Sequence, residues 1–184
     1  MANFIFDAAK HSILDRDSTF GLETDGSGQS EEETADDVAV ILVTQALSAA
    51  THGAVATLAA LEALSTSSEV LNATSGYGTG GKVVTNCKWA ASTGSGFTHA
   101  GSFGYLYGDD VTWTNLGAST DLKIVGAVLY YSTDGILDSD ADDIPVAYYD
   151  FEAQADGSNL VLQWAGVGGA ASPSGGQGVL LKMA

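Results

Sequence analysis

Between Val38 and Val43 the chain reads Val-Ala-Val-Ile-Leu-Val. No polar side chain alternates with these residues, so a strand here has no face to turn toward water. It is expected to be buried on both faces, or to have its second face covered by a partner. The uncharged stretch continues to Leu61, which is long enough to reach across a bilayer. However, Thr44, Gln45, Ser48, Thr51 and His52 interrupt it and Ala makes up much of the rest, so no membrane span is expected. Within Ala54–Leu64, residues Val55, Leu58, Leu61 and Leu64 recur at helical spacing. That stripe predicts a short helix packed on the core.

From residue 65 onward, Gly, Ser and Thr clusters separate short runs rich in Val, Tyr, Phe and Trp. The runs are Gly81–Ala90, Phe103–Tyr107, Val111–Thr114, Leu122–Tyr131, Val146–Phe151, Leu160–Trp164 and Val179–Met183. Short strands at such spacing predict a mainly β fold, a β-sandwich of jelly-roll type, with a short N-terminal helix and one further short helix. In Val111-Thr112-Trp113-Thr114 the alternation places Val111 and Trp113 inward. Lys123 to Tyr131 lacks alternation, so it is expected to be central or covered by a neighbouring subunit. Its Gly126 marks a bulge or a close backbone approach.

Asn3 to Asp15 reads as the N-terminal helix, capped by Asn3, with Phe4, Ala8, Ile13 and Leu14 on one face and Phe6 partly off it. Residues 24–37, with Glu31-Glu32-Glu33, read as a solvated acidic loop, so 1–37 is a candidate arm. Gly166 to Gly178, with Pro173, reads as a Gly-rich loop ahead of a final strand that ties down the C-terminus. The whole of 1–184 is expected to form one domain, without repeats. No cationic start precedes an apolar run, so no signal peptide is expected.

The 23 acidic and 6 basic residues leave a formal net charge of −17. So few cations neutralise few phosphates, which argues against nucleic acid as a partner, and an anionic membrane surface repels such a chain. With 45% hydrophobic residues the chain lacks the composition of a disordered one. The single cysteine, Cys87, excludes an intrachain disulfide and reads as a small buried residue.

Several segments imitate chemical motifs and fail on context. Gly76-Tyr77-Gly78-Thr79-Gly80-Gly81-Lys82-Val83 has phosphate-loop spacing, but strand-like Val83-Val84 comes next where a helix is needed. Asp138-Ser139-Asp140-Ala141-Asp142-Asp143 begins like a calcium loop, yet the required Gly and Glu are Asp143 and Tyr149. His11, His52 and His99 share no metal-ligand spacing. Asp109-Asp110 is an adjacency expected among 23 carboxylates. Asn72-Ala73-Thr74 matches a glycosylation sequon, which means nothing without a secretory route. No catalytic residue, cofactor or metal ligand is assigned. Trp89, Trp113, Trp164 and the tyrosines, Tyr77 among them, offer aromatic platforms for a carbohydrate, although Trp113 and Trp164 alternate as core residues.

An ordered series of segments carries a resemblance. It runs from Ile13-Leu14-Asp15 through Asp37–Val43, Thr51-His52 and Gly76-Tyr77-x-x-Gly80-Gly81. It continues through Asp109–Trp113, Ile124–Tyr131, Ile144–Phe151 and Leu160–Trp164 to Gly178-Val179-Leu180-Leu181. In that order they resemble a family of small acidic virion structural proteins of tailed bacteriophages, over most of the chain. The chain departs from the pattern in its acidic insert before residue 37 and its loop at 166–178. The resemblance implies a structural part of the virion and no enzyme: a capsid decoration (cement) protein, or a neck, tail or fibre-attachment part. The major capsid protein or other virion proteins are the implied partners.

The apolar strands Val38–Val43, Ile124–Tyr131 and Val179–Met183 hold more apolar side chains than one face of a modest sandwich needs. Subunit contact in a homo-oligomer, a trimer above all, is therefore expected to cover the remainder. The residues assigned to that interface are Phe4, Phe6, Val40, Leu42, Val128, Tyr130 and Leu180.

Overall fold

In the computed structural model, the residues described are 3–14, 38–64, 76–78, 80–85, 87–91, 104–117, 123–132, 137, 141–164 and 177–183. The chain is mainly β, with antiparallel sheets and few helices. In order come β1 (Phe4–Ile5), α1 (Asp7–Leu14), β2 (Val38–Val43), α2 (Ala49–His52), α3 (Leu58–Leu64), β3 (Lys82–Val83) and β4 (Lys88–Ala91). Then come β5 (Gly104–Asp109), β6 (Val111–Trp113), β7 (Lys123–Tyr131), β8 (Ile144–Gln154), β9 (Leu160–Leu162) and β10 (Gln177–Met183). Strands β1-β8-β7-β2-β3 form a five-stranded sheet, β10-β5-β4 a three-stranded one and β6-β9 a ribbon.

β2 is central, and all six of its residues are buried. Its side chains alternate between two cores. Val38, Val40 and Leu42 join Ala127 and Leu129 of β7 and Val146 of β8, packed with Leu106, Val111, Trp113, Leu116 and Trp164. Ala39, Ile41 and Val43 join Val128, Tyr130 and Tyr148 on the other face, packed with Phe6, Leu47, Val55, Leu58 and Leu61. The chain thus covers one side of its main sheet with its other strands and the opposite side with α3 and the segments around α2. Each fully buried Val, Ile or Leu contributes about 1.5–3 kcal/mol, so neither face is dispensable.

Within the single chain the apolar faces of β2 and β7 are thus already covered. Of the residues assigned to a subunit interface, Phe6, Val40, Leu42, Val128 and Tyr130 are 0% exposed within the single chain. Their faces are already filled by the chain itself. Phe4 is half-buried, its ring 5.0 Å from Phe6 and 5.5 Å from Tyr148. Leu180 lies in β10 where the register with β5 shifts between Val179 and Leu181.

The N-terminus also differs from the expected helix over Asn3–Asp15. Phe4 and Ile5 pair with Tyr148 and Ala147 of β8, and the helix starts only at Asp7. Asn3 caps no helix; its Oδ1 accepts the N–H of Asp150 at 2.9 Å. Pairing with a long strand outweighs a weak local preference, and the Phe4–Phe6 spacing fits a strand's period of two. The run Gly81–Ala90 divides into β3 and β4, which belong to different sheets. Thr85 marks the crossing: its carbonyl accepts Asp109 N–H at 2.9 Å, and its hydroxyl donates to Asp109 Oδ2 at 3.0 Å. The expected 54–64 helix is shorter, with Val55 ahead of α3 and a separate turn of helix, α2, before it. The acidic loop 24–37 lies outside the described residues, as does most of the 166–178 loop. Gln177 and Gly178 of that loop already belong to β10.

Val111 and Trp113 do point inward, with Thr112 exposed between them. Gly126 sits at a register shift of the β7–β8 ladder, between Ile124 and Gly126. A Cβ there meets Tyr149 O at 2.5 Å and Tyr148 Cε2 at 2.6 Å. A second shift, between Leu129 and Tyr130, lies opposite Pro145, which has no N–H for the ladder. Gly126→Ala forces strand backbone apart in the best-paired part of the sheet. It is expected to lower the unfolding free energy by about 1–3 kcal/mol, read as a lower urea midpoint at unchanged m-value.

Candidate functional site

Among the described residues, polar groups gather at two places. The first is the glycine turn 76–81. Gly76, Gly80 and Gly81 all have positive φ, at 81°, 75° and 79°. A Cβ on Gly80 meets Leu137 O at 1.2 Å and one on Gly81 meets Val40 O at 2.0 Å, so the turn runs flush against neighbouring backbone. Two phenols fasten it. Tyr130 donates to Gly80 O at 2.6 Å, and the Leu42 N–H donates to the Tyr77 hydroxyl at 3.1 Å. The Tyr77 ring stacks on Trp113 at 6.4 Å. Lys82, the lysine of the apparent phosphate loop, donates to Thr112 O at 2.7 Å. It opens β3, a strand, so the turn is not followed by a helix N-terminus that could aim amides at it.

The second place is the joint where β5 gives way to β6. Asp109 ends one strand, Asp110 lies between, and Val111 opens the ribbon. Trp164 clamps the joint: its Nε1 donates to Asp109 O at 2.8 Å, and its backbone N–H to Asp110 Oδ1 at 3.1 Å. Gln163 Nε2 donates to Asp110 Oδ2 at 3.4 Å. The pair Asp109-Asp110 therefore binds backbone and neighbours within the fold, and the two carboxylates serve the three-sheet junction.

The remaining sequence candidates are dispersed. Asp143 is fully buried and its carbonyl accepts Leu58 N–H at 2.8 Å, at the start of α3. Residues 138–140 of the calcium-like run lie outside the described residues. His52 is buried, and its Nδ1 accepts the N–H of Ser48 at 3.1 Å. The side chains of His11 and His99 lie outside the described residues. Cys87 is buried. Among the described residues no three His, Cys, Asp or Glu side chains gather as a metal site. No described helix is long and apolar enough to cross a membrane. Of the aromatic platforms, Tyr77, Trp113 and Trp164 are 7%, 0% and 8% exposed, so none presents a face to a sugar. The side chain of Trp89 lies outside the described residues. Trp113 Nε1 is buried and meets no hydrogen-bond partner among the described residues.

The turn's phenol clamps were not legible in the sequence. Tyr130 and Gly80 are 50 residues apart, and only packing brings them together. No family model matches the chain, and neither a curated protein nor a solved structure is found to match it.

Burial raises the pKa of Tyr148 and Tyr149 above the ordinary 10.0, with the charge of Asp150 adding to the first and Cys87 to the second. Below that value both phenols are neutral folded or unfolded. Above it the unfolded chain releases protons that the folded chain keeps, so stability falls as pH rises. Urea midpoints measured from about pH 8 to 11 are expected to hold steady and then decline beyond about pH 10. Tyr149→Phe is expected to make that decline shallower.

Proposed function

We propose that this chain is a structural component of a tailed-phage virion, a capsid decoration protein that binds the assembled head. Its finer architecture in this reading is a jelly-roll-type β-sandwich, and its working form a homo-oligomer, a trimer above all. The observation that carries the proposal is where the polar side chains go. Tyr77, Lys82, Tyr130, Asp110 and Trp164 each bind backbone groups at a turn or sheet junction, and the Asp109 carboxylate accepts the Thr85 hydroxyl there. That is the pattern of a scaffold whose polar groups serve rigidity, and it supports a structural role over a catalytic one. The ordered resemblance to small acidic phage structural proteins supports the virion as its setting.

Since β2 and β7 cover their own apolar faces, attachment falls to the surface. A net charge of −17 suits a cationic capsid surface, with charge steering the encounter and salt weakening it. Purified protein added to heads lacking it is expected to bind in many copies over the shell, raise the temperature at which the heads open, and detach as salt increases. A few copies confined to one vertex would place it in the neck or tail instead. Protein that ignores heads and tails alike would sink the proposal.

A further inference from the structure

The outer edge of β2 is paired by β3 only at Ala39 and Val40, and Val84 N–H reaches back to Val38 O at 2.8 Å. Beyond Val40, no described strand pairs with that edge. The next outward-facing amide, Leu42 N–H, is taken by the Tyr77 hydroxyl at 3.1 Å, within the core. Gly81 lies so close that a Cβ there would stand 2.0 Å from Val40 O and 3.0 Å from Ile41 Cα. The glycine turn thus covers with backbone and one phenol what a further strand would otherwise occupy.

The covered segment, Val38–Val43, is wholly apolar, rich in β-branched residues, uncharged and free of proline. Those are the properties of a strand that pairs with its own copies when its edge opens. Antiparallel pairing of two identical edges is self-complementary, so a second copy of the same strand is a sufficient occupant. From this we infer that Tyr77 and the 76–81 turn are an edge plug that keeps β2 from adding to the β2 of another copy. The plug acts whatever surface the protein uses to bind a partner, and so stands apart from the virion reading.

Tyr77→Phe tests it, because it keeps the ring stacked on Trp113 and removes only the hydroxyl. Tyr148→Phe is the control. It loses a hydroxyl bonded to Val125 O at 3.2 Å and to the Leu47 backbone, on the β7 side of β2 and not on its outer edge. Both are compared with the unmodified protein in high salt, which screens repulsion between copies. The expected result is about tenfold faster exchange of the Leu42 amide in dilute Tyr77→Phe. As concentration rises, that variant alone is expected to form a larger species in which the amides of Ile41–Val43 are protected again. Self-association no greater than in Tyr148→Phe, or Leu42 exchange unchanged, overturns the inference. If Tyr77→Phe does not fold, the unmodified protein in mild urea gives the reading. Opening of the turn is then expected to expose Leu42 and to bring on association before global unfolding. Association that begins only with global unfolding overturns the inference.

Discussion

Six apolar residues in succession, flanked by strands that must pair with them, leave β2 no wet side. A sheet built around such a strand has to be dry above and below, and that requirement organises the molecule. One cover is made of strands and the residues that follow them, through Leu106, Val111, Trp113 and Trp164. The other is made of helix and loop, through Leu58, Leu61, Leu47 and Val55. A chain of 184 residues is long enough to supply both. The polar groups then have to be accommodated where these covers meet the sheet, which accounts for the phenols on the glycine turn and the indole at the β5–β6 joint.

Much of this was legible because some residues leave few choices. Val38–Val43 lacks the polar alternation of a one-sided strand, so its double burial could be read directly. Val111 and Trp113 sit two apart between threonines, and only a strand puts them on one face. Gly126 stands alone in an apolar run, which signals crowding. The supplier of the second cover was not legible, because counting apolar side chains does not distinguish a chain's own helix from a neighbour. Leu58 and Leu61 already showed a helical stripe, but nothing local says on which sheet face it rests. The crossing at Thr85 escaped for a related reason. No Gly or Pro punctuates residues 82–90, and the break depends on hydrogen bonds to Asp109, 24 positions away.

Of the candidate site, the failures of context were readable and the actual uses were not. Strand-like residues after Lys82 correctly argue against a phosphate loop, yet they do not reveal that its amine reaches Thr112 O. Likewise, alternation marks Trp164 as a core residue without showing that its ring nitrogen joins two sheets. A hydroxyl or indole N–H finds its acceptor only after distant backbone has been brought into place.

The main sheet has Phe4–Ile5 at one border, laid against Tyr148 and Ala147, and Asn3 bonded to Asp150, 147 positions along the chain. While the chain grows on a ribosome, the first strand therefore has nothing to lie against until β8 has emerged. Completion of this layer waits for β8, and the loop that must close makes it a slow step by the measure of contact order. Until β7 has emerged the Val38–Val43 segment is made and still lacks its longer strand partner, which sets the period in which nascent copies are most exposed to one another.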